Sequence, residues 1–280
     1  MSNAIERSAV VERSARAGGV VARESFRGAL SVERKSNKND LVTGADREAQ
    51  RQVIATIRQE FPDATLVCEE GSIPGGTAVG DVDLRESVPE AGNAWVVDPI
   101  DGTANFVRGN RRWATVVATV TDGEPVAAAT ALPAQEDVYA AGPDSGTLNG
   151  DPLSVSDRAD PETFAVSLLG WWRVGDGDRH ASLFGQCANT FGDVRRSGSM
   201  QASLALVAGG SLDGAILPHP GNPWDTLAGA HLVRRAGGRV TDLDGNRWAH
   251  GADGMVVSNG EAHGTLVDEA QTALETGASH

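Results

Sequence analysis

Two apolar runs joined by an Asp-Gly pair constrain the fold of this 280-residue chain more than any other stretch. The runs, WATVVATVT and EPVAAATAL, lie within residues 113–132, with Asp122-Gly123 between them. This pattern is a strong local signal for a β-hairpin, because an Asp-Gly pair accommodates the backbone of a tight two-residue turn. The sequence therefore predicts an antiparallel pair of strands here.

Helical and extended patterns surround the hairpin. Apolar spacing predicts helices over about residues 5–26, 45–60, 179–189, 199–208, 225–238 and 261–275. The apolar positions of the first helix are Ile5, Ala9, Val10, Ala17, Val20 and Val21. Short apolar runs predict strands at 65–71, 94–97, 164–170, 212–217 and 255–259. Residues 73–92, rich in Gly, Pro and acidic residues, are typical of an exposed loop.

The pattern changes after the hairpin to alternating strands and helices, which predicts two lobes. The first is an α+β lobe over residues 1–145, and the second is a βα lobe over residues 146–280.

The composition excludes several functional classes. The formal net charge is −14, so the overall electrostatic field disfavours binding to nucleic acid. No apolar run reaches the roughly 18–20 residues of a membrane-spanning helix, and the N-terminus lacks the apolar centre of a signal peptide. Cys68 and Cys187 are far apart, which favours buried thiols over a disulfide or a zinc site. We therefore expect a cytoplasmic protein that binds neither nucleic acid nor membrane.

The basic residues are almost all arginine. Lys35 and Lys38 are the only lysines, against 22 arginines. An acidic, lysine-poor chain rich in alanine and glycine is typical of a salt-loving host with GC-rich DNA, such as a haloarchaeon. An acidic surface keeps a protein soluble at high ionic strength, where salt screens its self-repulsion. The alternative is an ordinary acidic enzyme from a GC-rich bacterium.

Acidic residues mark the ends of two predicted strands. Glu69 and Glu70 follow TLVC, Asp98 and Asp101 follow AWVV, and Asp225 opens a predicted helix. Ligands of α/β folds bind at the carboxyl ends of strands. Carboxylates brought together there raise one another's pKa unless a cation neutralises them, and Mg²⁺ prefers oxygen ligands. The pattern therefore predicts a Mg²⁺ site.

Each position also has a structural explanation. Asp98 and Asp101 fit a turn and an N-cap. Asp225 fits the N-cap of the helix that follows, and the Glu69-Glu70 pair fits a solvated strand end. Five carboxylates at such positions in one chain favour the functional interpretation.

Gly102 adds to this interpretation. Glycine lets the backbone approach a ligand closely. A helical turn starting at residue 103 would direct its free N–H groups at an anion. Metal ions beside such a turn would bind phosphate.

Four stretches resemble the motifs of the inositol monophosphatase family. DPIDGTANF (98–106) and WDTLAGAHLVRRAGG (224–238) resemble its two signature motifs. KSNKNDLVTGAD (35–46), which begins with Lys35, resembles its mobile N-terminal loop and following helix, and FPDATLVCEEG (61–71) resembles its glutamate-bearing strand. The resemblance implies a layered αβαβα sandwich of the α/β (α+β) class, as in inositol monophosphatases and fructose-1,6-bisphosphatases. We also expect a homodimer.

The resemblance implies Mg²⁺-dependent, Li⁺-sensitive phosphomonoesterase activity with two to three Mg²⁺ ions. Glu69, Asp98 and the Ile100 carbonyl would hold a first ion. Asp98, Asp101 and Asp225 would hold a second, and Glu69 with water a third.

The implied mechanism is in-line attack of a metal-activated water on phosphorus. Thr103, hydrogen-bonded to Asp46, would orient the water and accept its proton. The N–H groups of Gly102 and Thr103 would bind phosphate oxygens. Glu70 would support the metal ligands or the Asp46–Thr103 pair.

The substrate is less constrained. Members that act on inositol phosphate often carry a glutamate shortly before the second Trp-Asp, and ILPHPGNPWD (216–225) has no acid before Asp225. Other members of the superfamily hydrolyse fructose 1,6-bisphosphate, nucleoside 3′,5′-bisphosphates or histidinol phosphate. The residues expected to contact the leaving group are Ser197, Ser199 and His219, with Arg195 and Arg196, and core or surface roles remain open for them.

Two rival functions differ in kind. A noncatalytic binding protein on this scaffold would have lost a metal ligand or the Asp46–Thr103 pair, and the sequence retains both. A phosphotransferase would need a nucleotide-binding element, and the sequence contains no G-x-x-x-x-G-K-[ST] stretch.

Overall fold

The computed structural model describes residues 2–29, 32–34, 41–71, 84–171 and 177–277. Lys35, predicted to lie in a mobile loop, is outside the described residues, as is most of the predicted loop at 73–92. The described residues form seven α-helices: α1 (Ser2–Ser25), α2 (Gly44–Arg58), α3 (Thr103–Val107), α4 (Asp178–Thr190), α5 (Met200–Ala208), α6 (Pro223–Arg235) and α7 (His263–Gly277). A 3₁₀ turn covers Pro161–Thr163.

The described strands form two main sheets and a two-stranded ribbon. The ribbon pairs β1 (Val32–Arg34) with β2 (Leu41–Thr43). The larger sheet contains β3 (Leu66–Cys68), β4 (Leu84–Arg85), β5 (Asn93–Asp101), β6 (Ala114–Thr121), β7 (Glu124–Leu132), β8 (Asp137–Ala141), β9 (Gly146–Leu148) and β10 (Asp151–Pro152). The smaller sheet contains β11 (Ala165–Leu168), β12 (Asp193–Arg195), β13 (Gly214–Leu217), β14 (Arg239–Thr241) and β15 (Met255–Ser258).

Both sheets are mixed. The order of the larger sheet is β10-β9-β8-β7-β6-β5-β3-β4, with β3 parallel to β4 and β5 and the other pairs antiparallel. The order of the smaller sheet is β12-β11-β13-β15-β14, with β11 parallel to β12 and β13. The carboxyl ends of β11, β12 and β13 therefore meet at one edge.

Helices and sheets alternate in five layers. α1 and α2 cover one face of the larger sheet, where Val10, Ile54 and Val97 belong to one buried apolar cluster. α5 and α6 lie between the two sheets in a continuous apolar core. α4 and α7 cover the outer face of the smaller sheet, where Leu183 and Leu266 are buried. The predicted αβαβα sandwich is confirmed.

The hairpin is also confirmed. β6 and β7 pair antiparallel, and both turn residues have positive φ, 53° at Asp122 and 78° at Gly123. The predicted apolar face of α2 is buried as well, because Val53, Ile54 and Ile57 have no exposed surface.

The predicted apolar stripe of α1 is partly wrong. Ile5 is 62% exposed and Val20 59% exposed, although Val10 is fully buried. The buried face instead uses small and polar residues. Ser14 bonds the Val10 carbonyl with its hydroxyl, and a Cβ on Gly18 would lie only 2.5 Å from a Val53 methyl. Helices that pack closely need small residues at their contact. The spacing of large apolar residues does not detect such positions.

The border between the sheets lies later in the chain than the predicted lobe boundary. β9 and β10 extend the larger sheet to Pro152, and the smaller sheet begins at Ala165. The division after residue 145 stays a prediction. Cys68 and Cys187 are buried free thiols, as expected. Among the described residues, no helix has both the length and the apolar character needed to cross a bilayer.

Candidate active site

Asp98 and Asp101 are brought together by a β-bulge. The sequence predicts that the strand ends at Val97, but β5 continues to Asp101. Residues three apart in a regular strand point to opposite faces. Here the β6 partners of the two aspartates are only two residues apart, so β5 carries one extra residue. The bulge places both carboxylates on one face, and Thr115 Oγ1 donates to the Pro99 carbonyl within it at 2.8 Å.

Asp101 also binds the N-terminus of α5. Its Oδ2 accepts hydrogen bonds from the Ser199 hydroxyl and from Gln201 N, the latter at 2.8 Å, and its Oδ1 accepts one from Met200 N at 3.3 Å. A carboxylate is favoured there, because the first N–H groups of a helix lack intrahelical acceptors. Burial raises the pKa of Asp101 to about 6, and these hydrogen bonds oppose the rise.

Asp225 reaches the same place from α6. The N-cap of this helix is Asn222, and Asp225 is the third helical residue, so Asp225 is not the N-cap that the structural alternative required. Asn222 Nδ2 donates to Asp225 Oδ2 at 2.8 Å. One carboxylate oxygen each from Asp98, Asp101 and Asp225 lies within 4.8 Å of the others, and all three side chains are buried.

This carboxylate cluster has the chemistry of a site for a hard cation. Asp98 Oδ1 is buried and has no hydrogen-bond partner among the described residues. Burial, together with the charges of Glu69, Asp101 and Asp225, raises the pKa of Asp98 well above its ordinary value. Buried carboxylates repel one another, and a divalent cation with oxygen ligands offsets that cost. The three residues therefore fit a Mg²⁺ ion.

Glu69 and Glu70 lie at the end of β3, beside the cluster. Glu69 N donates to the Val97 carbonyl at 3.0 Å, and the negative charge of Glu69 helps to raise the pKa of Asp98. Glu70 is only 6% exposed, which argues against a solvated strand end. The backbone N–H and carbonyl of Glu70 are both hydrogen-bonded to the side chain of Gln50. Sequence reasoning missed Gln50, although a glutamine among the buried positions of α2 was a usable signal.

Asp46 uses its two carboxylate oxygens differently. Oδ2 accepts hydrogen bonds from Thr43 N at 2.8 Å and Thr43 Oγ1 at 2.6 Å, which forms the capping box of α2. Oδ1 lies 3.2 Å from Thr103 Oγ1. Burial, with a further contribution from the charges of Glu69 and Glu70, raises the pKa of Asp46 to about 7 against the bonds from Thr43.

Thr103 begins α3 and faces two acceptors. Its hydroxyl lies 3.2 Å from Asp46 Oδ1 and 3.0 Å from the Ile100 carbonyl. A hydroxyl has one proton to donate, so it serves one acceptor at a time. The predicted Asp46–Thr103 pair is therefore in contact, and the Ile100 carbonyl lies beside it.

Gly102 precedes α3 with φ of 89°. A Cβ there would lie 3.0 Å from the Ser199 Cβ and 3.1 Å from the Gly198 carbonyl. Both the backbone conformation and the close approach require glycine. The Gly102 carbonyl accepts hydrogen bonds from Asn105 N and Phe106 N. The first N–H groups of an α-helix have no acceptor within the helix, so those at the start of α3 can bind other groups.

Several of the residues expected at the leaving group are already held by hydrogen bonds within the protein. Ser199 is 3% exposed, and its hydroxyl caps α5 and donates to Asp101, so it is already engaged. Ser197 Oγ donates to the Ser199 carbonyl at 2.7 Å. His219 follows β13, its Nδ1 lies 2.9 Å from the Pro220 carbonyl, and its Nε2 packs against Gly170. Arg196 Nη2 donates to the Gly170 carbonyl at 3.0 Å.

Comparison with known proteins decides the family. The sequence profile of the inositol monophosphatase family matches residues 5–275. The chain belongs to this family. The fructose-1,6-bisphosphatase/inositol-1-monophosphatase of Thermotoga maritima is 31% identical over 246 residues, which is 88% of each chain. The histidinol-phosphatase of Mycobacterium tuberculosis is 36% identical over 261 residues, covering 89% of this chain and 91% of its own.

Solved structures agree with the sequence comparison. The IMPase of Thermotoga maritima superposes with a TM-score of 0.82 at 27% identity, covering 99% of this chain and 100% of its own. This inositol monophosphatase family member is therefore a phosphomonoesterase with the mixed α/β fold of its relatives.

Proposed function

We propose that this family member is a Mg²⁺-dependent phosphatase that hydrolyses the phosphate monoester of a small polyol or sugar. Inositol monophosphate and fructose 1,6-bisphosphate are the main candidate substrates. The observation that carries the proposal is the buried cluster of Asp98, Asp101 and Asp225, whose carboxylate oxygens lie within 4.8 Å of one another. Such a cluster is stable with bound divalent cations and costly without them.

The proposed metal ligands divide into two sets. Glu69, Asp98 and the Ile100 carbonyl would hold a first Mg²⁺, while Asp98, Asp101 and Asp225 would hold a second. A third ion would use Glu69 and water. The buried Asp98 Oδ1 supports a ligand role for Asp98, since it has no hydrogen-bond partner among the described residues. Bound Mg²⁺ supplies positive charge that stabilises the phosphate and lowers the pKa of the attacking water.

The protein's own residues position the reactants and accept the proton. Thr103 Oγ1 orients the water, takes its proton and passes its own to Asp46 Oδ1, from which it lies 3.2 Å. The water oxygen bonds to phosphorus as the bond to the leaving-group oxygen breaks. That oxygen takes a proton from solvent water, which gives inorganic phosphate and an alcohol, and Asp46 then releases the proton it received to solvent. Burial raises the pKa of Asp46 above its ordinary value, which favours Asp46 as the proton acceptor.

Backbone and charge complete the arrangement. The N–H groups of Gly102 and Thr103 bind phosphate oxygens and stabilise the charge that develops on them. Glu70 acts through its negative charge, which helps to keep the pKa of Asp46 raised. Ser197 and His219 lie beside the leaving group.

A second candidate substrate is histidinol phosphate. The 36% identity to the histidinol-phosphatase of Mycobacterium tuberculosis supports it, while the absence of an acid from residues 216–224 counts against inositol phosphate. Nucleoside 3′,5′-bisphosphates are a further alternative. A noncatalytic binding protein is the least favoured, since the proposed ligands and the Asp46–Thr103 pair are all present.

Metal removal and a substrate panel test the proposal. Protein stripped with EDTA should release no phosphate and should recover with Mg²⁺. Inositol 1-phosphate, fructose 1,6-bisphosphate, histidinol phosphate and adenosine 3′,5′-bisphosphate should be compared at low and high KCl. Full activity in metal-free buffer would contradict Mg²⁺ dependence, and no turnover of any of the four would favour the binding protein.

Li⁺ provides a second test of the metal assignment. It should inhibit turnover by occupying the second metal position, and insensitivity at roughly tens of millimolar Li⁺ would count against that assignment. The homodimer, the cytoplasmic location, the haloarchaeal host and the absence of nucleic-acid binding stay predictions.

A further inference from the structure

The first two turns of α2 carry two buried polar side chains on one face. Asp46 and Gln50 are four residues apart, which in an α-helix places them one above the other. Neither side chain has exposed surface. Asp46 contacts Thr103, while Gln50 contacts Glu70, so one rigid helix touches both halves of the proposed site.

Gln50 binds both backbone groups of a single residue. Its Nε2 donates to the Glu70 carbonyl at 2.8 Å, and Glu70 N donates to its Oε1 at 3.2 Å. This pair of bonds mimics the ladder of a β-strand, with an amide side chain in place of a neighbouring backbone. An apolar residue at position 50 would leave two buried backbone groups unsatisfied.

The pair of bonds lies where the strand pairing stops. Within the described residues, Glu69 N is the last donor of the β3 segment to bond β5, through the Val97 carbonyl. The next N–H group, that of Glu70, turns to Gln50. Glu69 therefore lies between an anchor on the sheet and an anchor on α2, and the two together set the direction of its side chain.

We propose that Gln50 is a positioning residue for the metal ligand Glu69, which it aims by holding the backbone of Glu70 against α2. The inference rests on the proposed function, because it requires Glu69 to bind Mg²⁺. Groups that orient metal ligands from outside typically change metal affinity or activity by 10- to 100-fold when removed. A change in Mg²⁺ affinity is therefore the expected signature.

Gln50→Met tests the inference, since methionine fills a similar volume without the two hydrogen bonds. The matched control is Gln52→Met on the same helix, where Gln52 Nε2 makes only a 3.4 Å contact to Thr56 Oγ1. Mg²⁺ binding is titrated calorimetrically with EDTA-stripped protein, and kcat is measured at saturating Mg²⁺. We expect Gln50→Met to raise the Kd for Mg²⁺ by about tenfold, with kcat within about threefold of the parent. Gln52→Met should match the parent in both.

The outcomes separate this inference from the proposed function. An unchanged Kd in Gln50→Met, with a parent that binds Mg²⁺, would overturn the positioning role alone. A drop in kcat with unchanged Kd would show a merely structural role. A parent that neither binds nor requires Mg²⁺ would overturn both. If Gln50→Met does not fold, Gln50→Asn decides in the same assay, because its amide is one methylene too short to reach both groups of Glu70.

Discussion

Single side chains in this site serve two partners at once. Asp46 closes the capping box of α2 with one oxygen and contacts Thr103 with the other. Asp101 binds the N-terminus of α5 and belongs to the carboxylate cluster. Truncation of either residue would therefore disturb fold and site together, and isosteric substitutions are the sharper test.

Asp225→Asn should abolish Mg²⁺-dependent turnover and preserve the fold. Asparagine keeps the size and the helix start but removes the charge that offsets Mg²⁺. The metal-free variant should melt at the parent's temperature or higher, because one of three crowded carboxylates has gone. Turnover and melting temperature are measured on the same samples. Asp178→Asn, at the exposed first position of α4, is the control and should leave turnover unchanged. Near-normal turnover of Asp225→Asn would overturn the two-metal assignment.

Thr103→Ala should lower kcat by about 10²- to 10⁴-fold with little change in Mg²⁺ affinity, as expected when a group that orients and deprotonates water is lost. Steady-state kinetics across a Mg²⁺ titration measure both quantities. Thr103→Ser keeps the hydroxyl 3.2 Å from Asp46 Oδ1 and should retain most of the activity. Equal losses of kcat and Mg²⁺ affinity would assign Thr103 a structural role instead.

At the scale of elements, the site depends on two breaks in regular structure. The bulge in β5 turns Asp98 and Asp101 to one face. The step from β5 to α3 follows at once, through Gly102 in the left-handed region. Regular continuation of the strand would separate the carboxylates and remove the turn that we propose as the phosphate-binding turn.

Gly102→Ala should destabilise the protein by more than the roughly 1–2 kcal/mol of left-handed backbone strain, and should lower turnover at least about tenfold. The added Cβ would lie 3.0 Å from Ser199 Cβ, so the loop that holds Asp101 must shift. Gly123→Ala is the control, because its φ is 78° and nothing lies within 4 Å of its Cβ. Chemical denaturation and turnover are compared for both variants. Equal destabilisation with normal turnover in both would show that only backbone strain matters at Gly102.

At the scale of the whole molecule, buried and surface charges act in different ways. Burial lowers the pKa of His231 to about 4, and its Nε2 lies 2.9 Å from the Gly142 carbonyl, which joins α6 to the end of β8. The surface carries a large excess of acid, since the net charge is −14. The first feature predicts a response of stability to pH, and the second a response to salt.

His231 should make stability fall as pH is lowered from about 6.5 towards 4. In that window His231 binds a proton in the unfolded chain but not in the folded one. The contribution of His231 to the free energy of unfolding is therefore complete above pH 6.5 and declines below it. The slope is at most about 1.4 kcal/mol per pH unit. Urea unfolding of the parent and of His231→Gln between pH 7.5 and 5 isolates this group. Their difference in unfolding free energy should shrink as pH falls, and a constant difference would contradict the assignment.

Salt should stabilise the molecule. Repulsion among the excess carboxylates is screened as KCl rises. Exposed ion pairs such as Arg13–Glu60 contribute little to stability, so screening them costs little. The melting temperature should rise between tenths of molar and molar KCl, as the Debye length falls from about 10 Å to about 3 Å. A flat or falling melting temperature would reject the salt-loving host and leave the ordinary acidic enzyme.

Local signals predicted the longer helices and the central strands, and they named most of the residues of the candidate site. The Asp-Gly hairpin and the apolar face of α2 follow from backbone preference and residue period. Some of the shortest strands, such as β10 and β12, went unpredicted because two or three residues establish no period. The buried face of α1 was misplaced, since small residues such as Gly18 were selected by the shape of the neighbouring helix.

The sequence by itself determined which groups are available: acid at strand ends, a glycine before a helical turn, and motifs of the inositol monophosphatase family. Only the tertiary structure decided how they meet. The bulge that aligns Asp98 with Asp101, the helix terminus that holds Asp101, and the Gln50 amide on the Glu70 backbone all join segments distant in sequence. Such contacts depend on register and packing across layers, and neither is encoded in the period of any one segment.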